Sequence, residues 1–346
     1  MTSPRLDSPG TRIVRDVAHG RWKAEVLLAV LRLDLPAVLT EEPQTAASLA
    51  RKVGADPDAL SRLLVLAAAL DLCGCVDGSF AASEATAALA GDGGVAMQTE
   101  CLHVLSDWGR TAWASLEGAV RTGQSGFAST TGMSVFDHLA QNPAEAATFH
   151  AFQAEVTRRN ASALLHANVL PSSGIVVDVG GGTGTLLASL LSVSPDLAGI
   201  VFDRPEVVDQ LGVPEPGARL TWVGGDFFDS SAKVLPRSAD VYLLSHVLHD
   251  WADQDARWIL QTVADAMAPH SRMLVLENVL QPASTNLLVS YLDVLMLTAW
   301  GSRERSVVQY GKLMSSAGLE LRDERLLVPP TGLSVLTAQV SSSGRA

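Results

Sequence analysis

The side chains best suited to moving a proton or holding a metal lie in Ser245-His246-Val247-Leu248-His249-Asp250-Trp251. His246 and His249, three residues apart, would share one face of a helical turn, which is the geometry of a metal pair. No third ligand stands at a characteristic spacing, so the sequence does not complete a metal site. A histidine satisfied inside a core is the commoner fate of such a residue. Position argues for more: Ala239 to Ser245 reads as a strand, and the histidines follow its carboxyl end, where α/β sheets gather their active-site residues.

A second cluster with chemical potential is Ile175-Val-Val-Asp-Val-Gly-Gly-Gly-Thr-Gly184. β-Branched residues frame Asp178, and the run then breaks into glycines, which predicts a buried parallel strand feeding a tight turn and a helix over Thr185–Leu191. Gly180, Gly182 and Gly184 leave the main chain bare for a ligand and free to take positive φ. The loop alone suits either a dinucleotide or S-adenosylmethionine. The third glycine falls one place early for the dinucleotide pattern G-x-G-x-x-G, and Asp178 would set a carboxylate near a pyrophosphate, whereas a sulfonium and an ammonium would welcome it.

Two further strands end in acids. Leu197–Phe202 leads to Asp203, about 20 residues past the glycines, where a carboxylate can accept from ribose hydroxyls. Arg219–Val223 leads to Gly224-Gly225-Asp226-Phe227-Phe228, in which Asp226 offers an acceptor for an exocyclic amine and Phe227 either a flat face for a purine or a core contact. Three acids ending three successive strands line the ligand-binding edge of an open sheet.

The elements that must position these groups fill two domains, because 346 residues exceed the usual ~250–300 of a single core and 47% hydrophobic residues supply both. A net charge of −12 argues against a nucleic-acid backbone as partner. The first ten residues are polar and no apolar run approaches a membrane span, so a soluble, cytoplasmic protein is expected. Cys73, Cys75 and Cys101 have neither zinc-pair nor redox-pair spacing and read as reduced and structural. Val14–Leu39 has helical periodicity with more apolar surface than a small domain needs, which suggests pairing between subunits. Helices over Thr45–Gly54 and Pro57–Leu70 and a hairpin at Val76–Phe80 outline a winged helix. Its second helix opens Asp56-Pro57-Asp58 and carries one cation, Arg62, so groove binding is disfavoured and a dimerisation role preferred. Gly91–Gly94 reads as a flexible break. Helices rich in aromatics follow over Glu100–Leu170, mostly for a core, with some rings available to a flat substrate.

From Val176 to Ser306 the chain resembles the plant-type small-molecule O-methyltransferases, the caffeate and isoflavone type, and still more the bacterial relatives that tailor aromatic antibiotics. The matching motifs are Val177–Gly184, Gly225–Phe228, His246–Trp251 and Gly301-Ser-Arg-Glu-Arg305. The resemblance extends to the N-terminal helices. It implies a class I methyltransferase (Rossmann-like) seven-stranded sheet behind a winged-helix-like dimerisation domain, with boundaries at 1–105, a helical connector at 106–170 and the catalytic domain at 171–346. It also implies a homodimer, S-adenosylmethionine as cofactor with S-adenosylhomocysteine as product, and no metal. The cofactor would meet Asp178, Gly180, Gly182, Gly184, Asp203, Asp226, Phe227 and Ser245. His249 would be the general base for an aromatic hydroxyl, flanked by Glu304 in the 301–306 loop and by Glu277 at the end of a strand over Met273–Leu276. An imidazole near ~6.5 would be largely free at neutral pH to accept the proton of a phenol near ~10. The acceptor would be lined by Trp108, Phe149, Phe152, Gln153, Asp250 and, from an apolar helix at Leu287–Trp300, Tyr291, Met296 and Trp300. Ser245 stands where many plant members have lysine, and Gln153 where relatives often have methionine, which favours a polar substituent on the substrate.

Two rival functions remain open to the sequence. One keeps the fold but uses the cofactor structurally for hydroxylation or decarboxylation; the His249/Glu304 pair favours methyl transfer. The other is a ligand-sensing winged-helix regulator. A C-terminal hairpin over Leu319–Leu327 and Leu333–Val340 is expected to close the sheet, ahead of a polar tail at 341–346.

Overall fold

The computed structural model describes residues 8–209, 217–229, 235–281 and 286–341. Most of the polar N-terminal decapeptide and all but the first residue of the polar tail lie outside them. The chain divides into two compact units, one holding residues up to Arg110 together with Ala144–Phe152, the other Thr111–Pro143 and the chain from Gln153 onward. The stretch 106–170 is therefore shared between the two and is not a body of its own.

In the first unit several helices begin on a side chain that satisfies a free amide. Ser8 caps Pro9–Arg32, Thr45 caps Ala46–Val53, and Asp56 accepts from the Ala59 amide at 2.9 Å to start Pro57–Ala69. Strands β1 (Gly74–Val76) and β2 (Ser79–Ala81) pair across Asp77-Gly78, both at positive φ as a tight hairpin turn requires. Leu35, Leu49, Leu60, Leu64 and Phe80 close a core beneath this helix-turn-helix and hairpin. The expected break at Gly91–Gly94 is instead the first turn of a helix, Gly91–Val104. A Cβ on Gly94 would stand 2.4 Å from the Leu89 carbonyl carbon, so this glycine serves close approach of the backbone to the preceding segment.

The second unit is built on strands β3 (Gly174–Val179), β4 (Leu197–Asp203), β5 (Leu220–Gly224), β6 (Val241–Ser245), β7 (Arg272–Leu280), β8 (Arg305–Ser306), β9 (Leu319–Val328) and β10 (Leu333–Val340). Their order is β5-β4-β3-β6-β7-β10-β9, seven strands, with the two-residue β8 added beside β7. All pairs are parallel except β7–β10 and β10–β9, the expected C-terminal hairpin. Alternation along β3 feeds both faces: Val177 and Val179 pack with Tyr242, Leu244 and Ile259, whereas Val176 packs with Leu187, Leu190, Leu243 and Leu274. The chain runs outward from β3 through β4 to β5 and returns to β6 on the other side of β3. That reversal opens a crevice at the carboxyl ends of β3 and β6, the place where sheets of this kind bind ligands.

Strand β7 runs further than expected. Glu277 is an interior residue of it, opposite Ser334 of β10, because pairing with β10 and then with β8 carries the ladder on to Leu280. No helix among the described residues is long and apolar enough to cross a membrane.

Candidate active site

Gly180, Gly182 and Gly184 all take positive φ, at 75°, 57° and 80°. Their reasons differ. A Cβ on Gly184 would meet Val201 at 2.9 Å, so this glycine lets the Thr185–Ser192 helix settle onto the sheet; at Gly182 a Cβ would project into open space, which a ligand can occupy. The Gly182 amide donates to Asp203 Oδ2 at 2.7 Å, and Asp203 Oδ1 accepts from the Arg204 amide at 2.7 Å. Asp203 thus braces the glycine loop, and each oxygen keeps a second lone pair for a hydroxyl. Asp178 is 1% exposed, and its buried Oδ2 has no hydrogen-bond partner. Burial and then the charge of Asp203 push its carboxyl up to about 7. A buried acid with an unfilled acceptor beside a bare loop suits a cationic ligand.

The remaining cofactor candidates lie in the same unit. Asp226 is exposed and caps its own turn by accepting from the Phe228 amide at 2.8 Å. Phe227 is half-buried against the core, edge-on to Phe228 and Trp251, so it keeps a packing role whatever else it touches. Ser245 is half-buried at the end of β6. Next to it His246 takes φ +53°, an uncommon conformation for a non-glycine residue, and turns the chain out of the strand. Val247 then packs on Gly180, where a Cβ would come within 3.0 Å of it. The glycine loop and the histidine segment are therefore direct neighbours.

His249 sits in a short 3₁₀ turn, Leu248–Asp250, with Nδ1 3.0 Å from Glu304 Oε1 and 3.5 Å from Glu277 Oε2. Glu277 and Glu304 are 0% and 1% exposed. Glu277 Oε1 accepts from the amides of Leu248 and His249 at 2.9 and 3.3 Å, so it fixes the backbone of the turn as well as facing the ring. Asp250 Oδ1 is 3.5 Å from Nε2, too far to fill that nitrogen's hydrogen-bonding capacity. From its ordinary value alone the ring is expected to be largely free at neutral pH. The fold corrects this: burial favours the neutral ring, but Glu277, Glu304 and Asp250 outweigh it and hold His249 well above the ordinary imidazole value. Glu277 in turn is pushed up to about 7, chiefly by burial. His246 goes the other way, down to about 3, through burial and the charge of His249.

The missing third metal ligand of the sequence reading is supplied by the fold, since ligand atoms of His246, His249 and Glu277 lie within 4.8 Å of one another. The 3.0 Å contact from His249 Nδ1 to Glu304 has hydrogen-bond length, so a hydrogen bond there competes with a metal for that nitrogen. Sequence reasoning missed Asp293. It is the sole charged residue of the Leu287–Trp300 helix, and its Oδ1 accepts from the Glu304 amide at 3.0 Å, setting where Glu304 stands. A lone acid in so apolar a helix was the available signal.

The acceptor candidates are divided between the two units. In the first unit Trp108 (2% exposed) and Phe149 (8%) form a buried aromatic cluster with Phe152 and His103, whose ring stacks on Phe152 at 4.0 Å. In the second unit Gln153 is exposed. Met296 is buried; Tyr291 and Trp300 lie nine residues apart, about half a turn out of phase. Tyr291 accordingly meets Trp113 edge-on at 6.0 Å while Trp300 meets Phe136, so one helix face does not carry both.

A strand order reversing beside β3, a bare glycine loop next to strand-end acids and an antiparallel terminal pair define a class I methyltransferase, here with a helical N-terminal domain. Residues 113–320 match the O-methyltransferase domain and residues 16–91 the O-methyltransferase dimerisation domain. The chain belongs to this family of S-adenosylmethionine-dependent O-methyltransferases. It is 36% identical over 328 residues to the O-demethylpuromycin-O-methyltransferase of Streptomyces alboniger, covering 90% of this chain and 84% of that protein. The structure of the mitomycin 7-O-methyltransferase MmcR superposes with a TM-score of 0.83 at 31% identity, over 96% of this chain and 98% of that one. The neocarzinostatin-biosynthesis O-methyltransferase NcsB1, solved with S-adenosylhomocysteine and 1,4-dihydroxy-2-naphthoic acid, gives 0.73 at 29%, over 92% and 95%. Asp178 with its unfilled oxygen and the open space at Gly182 fit that cofactor.

Proposed function

We infer that this enzyme methylates a phenolic hydroxyl of an aromatic natural product of polyketide type, with His249 as general base. The observation that carries the reading is the His249–Glu304 contact at 3.0 Å in a buried carboxylate pocket abutting the glycine loop. Asp178, the loop amides, Asp203, Asp226 and Ser245 would hold S-adenosylmethionine, which when bound supplies an electrophilic methyl on a cationic sulfur. Glu304 holds the Nδ1 proton and so leaves Nε2 to accept the hydroxyl proton; the imidazolium that forms is stabilised by the two buried carboxylates. Because those carboxylates raise the ring's affinity for protons, the base is competent only once pH exceeds its raised value, and activity climbs with pH through that point. Glu277 and Asp293 keep the turn and Glu304 in place.

The relatives support the substrate class: similar proteins carry the names O-demethylpuromycin-O-methyltransferase and mitomycin 7-O-methyltransferase, and NcsB1 was solved with 1,4-dihydroxy-2-naphthoic acid. Gln153 would help select the particular ring. The match to the dimerisation domain, with Ile13, Val14, Val17 and Trp22 each more than half exposed along the first helix, supports a homodimer through those helices. Mass spectrometry of products from a panel of phenols, aromatic polyketide acids and polycyclic quinones, each with S-adenosylmethionine, tests the reading. Gain of one methyl on a hydroxyl with stoichiometric S-adenosylhomocysteine is the expected result. Hydroxylated or decarboxylated product with the cofactor unconsumed would replace it with the structural-cofactor alternative, and methylation confined to amines would change the acceptor class.

A further inference from the structure

We propose that Arg305 is a positioning residue that locks the His249 turn to the loop bearing Glu304, so that base and carboxylate move as one body; this rests on the general-base reading of His249. Arg305 closes the Gly301–Arg305 motif, yet its side chain is 1% exposed and points away from solvent. Its guanidinium donates from one terminal nitrogen to the Leu248 carbonyl at 2.7 Å and from the other to the Trp251 carbonyl at 2.7 Å. These carbonyls belong to the residue before His249 and the residue two after it. Nε and the second terminal nitrogen also donate to Asp253 Oδ1 at 3.0 and 2.8 Å, which fixes the plane of the fork. The peptide preceding Arg305 carries Glu304, and Arg305 itself pairs with Val279 of β7, the strand that carries Glu277.

One guanidinium therefore ties together the turn with the base, the residue neighbouring its partner acid and the strand of the second acid. Only an arginine offers rigid, divergent donors to two carbonyls and a carboxylate at once; a lysine is a point charge that must choose among them. A displacement of the turn by even ~1 Å can cost ~10²-fold in rate, and a slackened His249–Glu304 contact loosens the ring's hold on its proton.

The test compares Arg305→Lys and Asp253→Asn with the wild type in kcat, in KM for S-adenosylmethionine and in the pH profile, and repeats Arg305→Lys in a His249→Ala background. Arg305→Lys should lower kcat by ~10–100-fold, leave KM for the cofactor within about threefold and move the acid limb of the profile to lower pH; the double variant should be no slower than His249→Ala alone. Asp253→Asn, at the solvent edge of the clamp, should shift the limb in the same direction with a loss of ~3–10-fold, and it decides the matter should Arg305→Lys fail to fold. A drop in Tm with kcat and limb unmoved, or losses that multiply in the double variant, would overturn the proposal. Near-wild-type turnover of His249→Ala alone would overturn the base reading and this proposal with it, whereas loss in His249→Ala with none in Arg305→Lys overturns only the proposal.

Discussion

Removing the imidazole should cost most for the acceptor that most needs a base. At pH ~7–8 a phenol of pKa ~10 is ionised to only ~10⁻³–10⁻², so His249→Ala should slow its methylation by ~10²–10³-fold, about 3–4 kcal/mol of barrier. The geometry says why nothing nearby replaces the ring: Glu277 and Glu304 are buried, and Glu277 is engaged by the turn amides and already pushed up to about 7, chiefly by burial, so that with the ring gone it is held toward its own protonated form instead of accepting the substrate's proton. The assay is single-turnover methylation across substituted phenols of pKa ~7 to ~10, with cofactor binding followed separately by calorimetry. The penalty should shrink by up to about tenfold for each unit by which the acceptor's pKa falls, approaching none for a phenol already ionised at the assay pH. Cofactor affinity should hold throughout. A penalty constant across the series would refute proton removal as the role of His249, because a positioning group serves acidic and weakly acidic phenols alike.

Glu304→Gln keeps an acceptor at Nδ1 but removes the charge; the acid limb of kcat/KM should move to lower pH and the plateau fall ~10-fold or more, and an unmoved limb in a stopped-flow pH series would deny the carboxylate its electrostatic role. Asp203→Ala should weaken S-adenosylmethionine binding ~10–100-fold by calorimetry, since it strips both the ribose acceptor and the brace on the Gly182 amide; unchanged binding removes it from that role. Asp178 has its folded value raised to about 7, so the stability it contributes is complete below pH ~4 and is lost as pH rises through about 7. Asp178→Asn should therefore gain stability relative to wild type at pH 8 over pH 5, by at most roughly 2–3 kcal/mol (about two pH units at ~1.36 kcal/mol each), while binding the cofactor more weakly; scanning calorimetry at the two pH values showing no relative gain would contradict the buried, uncompensated charge.

Local chemistry made much of this legible in the chain. The glycine spacing anticipated three positive-φ positions, the stretches Thr45–Gly54 and Pro57–Leu70 read as two helices, and the Asp77-Gly78 turn declared its hairpin. Each depends on residues within one turn of one another, which is the range over which sequence pattern acts. The reading at Gly91–Gly94 failed because a glycine serves freedom and close approach alike, and only the Leu89 backbone pressed against Gly94 tells which. Tyr291 and Trp300 were grouped because they share a helix, although their phase separates them.

What the sequence determined by itself was the kind of cradle and the class of sheet, from glycine spacing and strand-end acids, and, through resemblance to a known family, the grouping of His249, Glu277 and Glu304 as a chemical set. Tertiary structure decided the ionisation of that set. Glu304 lies 55 residues from His249 in the chain and Glu277 28 from it, and only folding brings both acids to one ring nitrogen in a site that water barely reaches. Desolvation and short charge separations set a pKa, and neither is written in the spacing of residues along a chain.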